Sequence, residues 1–303
     1  GLGIAATPGQ IVLTQGAAQA LDLVIRHLLA PGDCVLVDDP GYYNLFGQLR
    51  LHGVTLLGVP RHADGPDLAA LEALLSAHRP RAFFLQSGLH NPSGGGLAPH
   101  IAFRLLALAE RHDFLLVEDD SFADFQGQPG QRLATLDQLQ RVLYIGGFSK
   151  PLSASLRVGF LAATPPLARE LADLKLLTAL AGSEGVERVV HGLLTEGYYR
   201  KHLERLRARL RQAREATLHR FRALGVELFH EPQDGMFLWA RLPGVEDATA
   251  LAAAAEREGV LLAPGQAFRP GQQPSPWLRF NVAWCQDLRL WRCLARLREA
   301  AGG

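Results

Sequence analysis

Cysteine is scarce in this 303-residue sequence, and its three thiols, Cys34, Cys285 and Cys293, lie far apart with no Cys-x-x-Cys spacing. Such a pattern gives no sign of a disulfide framework or a zinc site and fits a reducing compartment. Long apolar runs are missing as well. No segment approaches the roughly 20 residues that cross a bilayer, and the first residues carry no basic-then-apolar leader, so neither membrane insertion nor secretion is expected and the expected location is cytoplasmic. Charge of one sign is also absent: 31 Lys and Arg stand against 30 Asp and Glu, which leaves no nucleic-acid footprint on this chain itself. No internal repeat or low-complexity tract appears. What the sequence does have is 48% hydrophobic residues over 303 positions, enough to bury a sizeable core in two lobes. Its opening, Gly1-Leu2-Gly3-Ile4-Ala5, runs almost at once into a core-like strand, which reads as the start of a fragment.

Short apolar runs alternate with helix-length segments through the first half: Ile11 to Thr14, Cys34 to Asp38, Thr55 to Pro60, Ala82 to Gln86, Phe114 to Glu118, Arg141 to Ile145 and Arg157 to Ala162. The alternation predicts an α/β fold with helices packed on a mostly parallel sheet. Helices are expected over Ala17 to Leu29, over Leu97 to His112, and from Thr164, where a cap residue precedes two prolines. From Gly185 to Leu224 the apolar spacing predicts one long amphipathic helix. Its other face is basic, with Arg205, Arg207, Arg209, Arg211 and Arg214, and is read as solvated rather than as a DNA-binding surface. The remainder mixes strands at Val226 to Phe229, Met236 to Ala240 and Leu278 to Val282 with two helices, as a smaller α+β lobe would. The expected division is 1–198 and 199–303.

Several strand ends carry residues with chemistry. Lys150 follows the strand Val142 to Ile145 through Gly146-Gly147-Phe148-Ser149, at the edge where α/β proteins place ligands. A lysine there can form a Schiff base with an aldehyde, although a lone loop lysine is more often simply solvated. Ser149 and Arg157 stand close enough in sequence to share one phosphate. A strand-to-helix turn at Gly16-Ala17-Ala18 offers free helix amides to the same kind of anion, or is a plain turn. Glu118-Asp119-Asp120 closes another strand, and Asp119 is the candidate carboxylate; a metal site or an acidic turn is the plain alternative. Asn91, in His90-Asn91-Pro92-Ser93-Gly94, is an amide donor or part of a turn. Tyr42, after Asp39-Pro40-Gly41, is a stacking surface or a core tyrosine. Arg279 sits in an otherwise apolar strand and calls for an anion, whether an internal carboxylate or that of a ligand.

Lysine, carboxylate, phosphate donors, amide and flat aromatic face together are the groups that pyridoxal 5′-phosphate needs. In order along the chain they resemble the fold-type I aminotransferases over nearly its whole length. That resemblance implies a mixed, mainly parallel seven-stranded large domain, a smaller C-terminal domain and a homodimer. It also implies residue roles: Lys150 as Schiff-base lysine, Asp119 on the ring nitrogen, Asn91 on the phenolic oxygen and near the substrate, Tyr42 against the ring, Gly16, Ala17, Ala18, Ser149 and Arg157 around the phosphate, and Arg279 on a substrate carboxylate. Asp39-Pro40-Gly41-Tyr42-Tyr43, Leu89 to Gly94, Glu118 to Phe122 and Phe148-Ser149-Lys150 are most similar to the MocR branch. Its members are GntR-type regulators that join an N-terminal winged helix-turn-helix to an aminotransferase-like domain. DNA would then be met only through a domain upstream of this sequence.

There are two departures from the pattern: Ser121 and Phe122 replace a tyrosine after the acidic pair, and Gly147 replaces a phosphate-binding hydroxyl residue. Both favour a sensor over an efficient transaminase. The expectation is a cofactor- and effector-binding, dimerising domain responding to an amino acid or amine. The alternatives are a free aminotransferase in which Lys150 moves the α-proton, and a scaffold without cofactor.

Overall fold

Runs rich in Val, Leu, Ile and Phe form strands buried on both faces, and the segments between them form the helices that cover those faces, in a computed structural model that describes residues 2–128 and 130–301. Gly1 of the abrupt opening, and the final residues 302–303 of the expected smaller lobe, lie outside the described residues. The main sheet contains β1 (Ile11–Thr14), β2 (Cys34–Asp39), β3 (Thr55–His62), β4 (Gly65–Pro66), β5 (Ala82–Leu85), β6 (Leu115–Asp119), β7 (Val142–Gly147) and β8 (Gly159–Ala162), in the order β1-β8-β7-β6-β5-β2-β3-β4. Strands β3, β2, β5, β6 and β7 run parallel, whereas β8 runs antiparallel to both β7 and β1. The expected seven-stranded mixed sheet is thus present, with β4 added as a two-residue ribbon folded back on β3.

Side-chain alternation sorts the core into two layers. Val35 and Val37 of β2, Ala82 and Phe84 of β5, and Leu143 and Ile145 of β7 pack under α1 (Ala17–Leu28), α2 (Tyr43–Leu51) and, further along, α6 (Pro165–Ala179). Their neighbours Leu36, Phe83, Leu85, Val142 and Tyr144 point the other way, against α3 (Leu68–Ala77), α4 (Pro99–His112) and α5 (Leu133–Asp137). Each fully buried Leu, Val or Phe contributes about 1.5–3 kcal/mol relative to exposure, so the sheet, not any single helix, fixes the frame.

Beyond α6 come α7 (Glu184–Thr195) and α8 (Tyr198–Leu224), then β9 (Glu227–Leu228), β10 (Phe237–Arg241), α9 (Ala248–Arg257), β11 (Ala263–Pro264), β12 (Trp277–Asn281) and α10 (Leu288–Ala301). These four strands form an antiparallel sheet ordered β11-β12-β10-β9, with Leu278 and Phe280 of β12 packed on Leu218 and Phe221 of α8 and on Trp291 and Leu294 of α10. Three expectations need correction here. The single helix expected over Gly185 to Leu224 is two helices, because Gly197 adopts φ +78°, a left-handed conformation open to glycine that turns the chain between α7 and α8. The basic face is not wholly solvated: Arg214 is buried and donates to the carbonyls of Gly235 and Gln233, and Arg207 donates to the carbonyl of Asp124. The strand expected from Arg157 begins at Gly159, and Arg157 sits in the preceding loop with φ +50°.

The chain steps outward from β2 to β3, returns to β5, and continues to β6 and β7 on the other side. That reversal opens a crevice beyond the carboxyl ends of β2 and β5, the place where open α/β sheets take ligands. Among the described residues no helix is long and apolar enough to cross a membrane.

Candidate functional site

Because β1, β2, β5, β6 and β7 all run the same way, their carboxyl ends bring Gly16, Tyr42, Asn91, Asp119 and Lys150 to one edge of the sheet. Asp119 ends β6 and is 7% exposed. One carboxylate oxygen accepts from the Ser121 backbone N–H at 3.1 Å and from the Ser121 hydroxyl at 2.5 Å, and the other accepts from Gln86 Nε2 at 3.0 Å. Burial raises its pKa above the usual aspartate value, against the pull of Ser121, Gln86 and Lys150. The result is an oriented, desolvated carboxylate that gains from a cation placed against it.

Lys150 leaves β7 through the turn at Phe148-Ser149, with its ammonium 5.8 Å from the centre of the Phe122 ring. Its side chain is accessible from the cleft but flanked by protein. Desolvation, then the charge of Arg279, lowers its pKa, and Arg157 adds to this while Asp119 opposes it. The neutral amine, the nucleophilic form, is therefore more populated than in a free lysine.

The anion cradle expected at the start of α1 is built from three pieces. Gly16 stands at the helix N-cap with φ +79°, and no side chain caps the helix amides that follow, at Ala17 and Ala18. The Arg157 guanidinium lies across this glycine: a Cβ on Gly16 would sit 2.9 Å from Nη2, which itself donates to the Gln15 carbonyl at 2.8 Å. Gly159 permits the approach from β8, since a Cβ there would meet the Gly16 backbone at 2.8 Å. Ser149 Oγ is buried with no hydrogen-bond partner, and a buried hydroxyl without a partner is an uncommon and costly feature. Together, helix amides, guanidinium and hydroxyl make a donor set suited to a phosphate group.

Arg279 projects from β12 between Phe237 and Phe268, its guanidinium carbon 4.5 and 4.9 Å from the two ring centres. Its Nη1 donates to Asn91 Oδ1 at 2.8 Å, its buried Nε has no partner, and burial lowers its pKa. Among the described residues no carboxylate forms an ion pair with it; its side-chain partner is the neutral Asn91. Asn91 Oδ1 is taken by Arg279, which leaves the Asn91 amide nitrogen free to donate. Tyr42 caps α2 and is half-buried, its ring edge-on to Tyr43 at 5.5 Å. A cavity of about 20 Å³, room for roughly one water, lies between Tyr42, Gln86, His90 and Asp119.

Sequence reasoning missed the support beneath these groups. Arg61 of β3, with no exposed side chain, pairs with the buried Asp38 of β2 at 3.0 Å and donates to the carbonyls of Gln86 and Gly96. Arg269 pairs with Asp39 at 2.6 Å and so fastens the segment before β12 to the end of β2. The acidic run divides its labour: Glu118 accepts from the backbone N–H groups of Leu133 and Ala134, and Asp120 is held by Arg132 and Tyr144, so only Asp119 turns to the crevice. No metal-ligand cluster of His, Cys, Asp or Glu occurs among the described residues, and the acidic run is accounted for without one.

Comparison with known proteins gives one family, with both enzymes and regulators among the relatives. The sequence profile described as aminotransferase class I and II matches residues 2–297. The 2-aminoadipate transaminase of Thermus thermophilus is 36% identical over 99% of this chain and 77% of its own length. The uncharacterized HTH-type transcriptional regulator YdcR of Escherichia coli is 33% identical over 93% of this chain and 61% of its own length. Among solved structures, LysN, the α-aminoadipate aminotransferase of Thermus thermophilus complexed with N-(5′-phosphopyridoxyl)-L-leucine, superposes with a TM-score of 0.90 at 32% identity, covering 98% of this chain and 79% of that one.

Proposed function

This chain belongs to the class I and II aminotransferase family, whose cofactor is pyridoxal phosphate, and from that premise we propose that it is an aminotransferase-like domain binding this cofactor and an amino acid or amine, most like the effector-binding and dimerising part of a MocR/GntR-type regulator. One observation carries the reading: Lys150, Asp119, Arg279 and the cradle of Gly16, Arg157 and the unpartnered Ser149 hydroxyl converge on one crevice. Lys150 would hold the cofactor covalently, Asp119 its ring nitrogen, Asn91 its phenolic oxygen, Tyr42 its face, and Gly16, Ala17, Ala18, Ser149 and Arg157 its phosphate. Bound there, the cofactor supplies an electron sink for the substrate's α-carbon.

The departures at Ser121 and Phe122 support the regulator form. Ser121 spends its hydroxyl on Asp119 and Phe122 lies beside Lys150, so among the family-pattern positions Asn91 is left to serve the phenolic oxygen. Regulators spanning more than this chain, YdcR among them, agree with that form, and DNA would be contacted only by a domain outside this sequence. Dimerisation is supported by exposed Leu176, Leu177 and Leu180 at the end of α6, with Val189 and Leu194 of α7 also exposed. A second reading, a true aminotransferase, is favoured by the lowered pKa of Lys150 and by the transaminase relative. In it, Lys150 would carry the α-proton.

An absorbance spectrum with added pyridoxal phosphate, before and after a panel of amino acids, tests the proposal. A visible band that shifts with an amino acid but yields no 2-oxo acid is the expected result. One 2-oxo acid per site would move the assignment to the enzyme, and no band in folded protein would overturn the cofactor assignment.

The carboxylate role of Arg279 has its own test. Arg279→Gln is expected to weaken the amino-acid-induced spectral shift by about 100-fold, the loss of a desolvated, charge-assisted pair worth roughly 3 kcal/mol. Cofactor affinity should fall less than amino-acid affinity does, because Arg279 reaches the cofactor groups only through its bond to Asn91 and its charge beside Lys150. Equal amino-acid affinity in the two proteins would remove Arg279 from the ligand site.

A further inference from the structure

We propose that Gln86 is a positioning residue that fixes the plane of the Asp119 carboxylate and the placement of Asn91 through the two ends of one side-chain amide. The inference rests on the reading of Asp119 and Asn91 as cofactor-facing groups and adds to it a residue to which that reading assigns no contact with cofactor or substrate.

Gln86 is the first residue after β5, at the point where the sheet order reverses, and is 5% exposed. Its Nε2 donates to Asp119 Oδ2 at 3.0 Å and its Oε1 accepts from the Asn91 backbone N–H at 2.8 Å. The amide orientation follows from these partners, since a backbone N–H only donates and an ionised carboxylate only accepts. The backbone of Gln86 is held as firmly: its N–H donates to Asp38 Oδ2 at 3.2 Å, and its carbonyl accepts from Arg61 Nη2 at 2.9 Å.

Ser121 donates only to the other Asp119 oxygen. Without Gln86 that carboxylate would be tied at one oxygen and able to turn about its last torsion, which is intrinsically broad. The same amide holds Asn91, whose side chain accepts from Arg279. One glutamine thus bridges the expected ring-nitrogen carboxylate and the turn on which the expected substrate arginine rests. A glutamine that only filled space would make neither bond.

Gln86→Glu separates positioning from packing, because it keeps the size and the acceptor for Asn91 but removes the donor to Asp119. The charged and titratable groups around this position are Asp119 of β6, Asp38 of β2, Arg61 of β3, Tyr42 and His90 of the adjoining loops, and Lys150, whose charge acts on Asp119. With two carboxylates facing each other, one shared proton restores a donor.

The experiment is titration of the purified protein with pyridoxal phosphate, followed by absorbance across the neutral pH range, with thermal unfolding of the cofactor-free protein as a check of fold. Gln86→Glu is expected to bind about 10- to 100-fold more weakly at the alkaline end and to recover as pH falls, whereas Gln86→Leu should stay weak throughout. Gln86→Glu binding within twofold of wild type at every pH, or weakly with no acid recovery, would overturn the proposal, whether or not Gln86→Leu folds. Absence of binding by wild type itself would instead bring down the cofactor reading, and this proposal with it.

Discussion

Replacing Lys150 by alanine is expected to abolish covalent attachment of pyridoxal phosphate: no internal-aldimine band, and no adduct after borohydride reduction. The sequence makes this test unusually clean. It contains only three lysines, Lys150, Lys175 and Lys201. Lys175 lies within α6 and Lys201 in the first turns of α8, whereas Lys150 alone follows a strand of the main sheet into the crevice. Its amine is also the chemically prepared one, its pKa lowered by burial and by Arg279. Reduction and peptide mapping of wild type should therefore place the label on Lys150, and any transamination should fall by at least about 10³-fold in Lys150→Ala, as when a nucleophile is removed. Cofactor phosphate should still be held by Arg157 and the start of α1, leaving weak, reversible binding. A label found on Lys175 or Lys201, or an unchanged band in Lys150→Ala, would end the assignment.

The frame and the front row of the site were legible because each strand of the main sheet is a short apolar run with a distinct residue at its end. Lys150, Asp119 and Asn91 could each be placed at or just after a strand end from the sequence, and Tyr42 in the turn after another; the strand order that brings them to one edge came from the structure. Gln86 was not legible, since a single glutamine closing a strand has no periodic or motif signal; its importance comes from Asp119 and Asn91, 33 and 5 residues away along the chain. The break at Gly197 was missed because apolar spacing continues across it, and a left-handed glycine is visible only as a conformation. Burial of Arg214 did have a signal. It stands four residues after Leu210, three before Thr217 and seven before Phe221, all buried on α8, so helical spacing puts it on the apolar stripe although its charge suggests the surface.

Asp119→Asn is expected to have the other largest effect, and for two separable reasons. First, it removes the negative charge while nearly preserving shape, so a cationic ring nitrogen loses its counter-charge in a desolvated site, a loss of about 4 kcal/mol or 10³-fold in any proton transfer at the substrate's α-carbon. If the domain only senses its ligand, the same loss should appear as cofactor affinity reduced by about 10- to 100-fold. Second, the asparagine amide cannot accept at both ends. Either its NH2 faces Gln86 Nε2, donor against donor, or it faces the Ser121 N–H and hydroxyl, so one of the bonds now made to Asp119 must break. The pH dependence has a definite sign. Burial raises the Asp119 pKa above the ordinary carboxylate value, so the group is ionised above that raised pKa and neutral below it. Cofactor affinity of wild type should therefore decline as pH falls through the Asp119 pKa, and Asp119→Asn should show the low value at every pH with no such acid limb. The acid recovery expected of Gln86→Glu has the opposite direction, because there the added proton restores a donor to Asp119 and relieves a like-charge pair. Measuring both variants in one titration distinguishes a carboxylate that acts by its charge from one that is merely part of the packing: retention of the acid limb in Asp119→Asn would assign that limb to another group and remove Asp119 from the ring nitrogen.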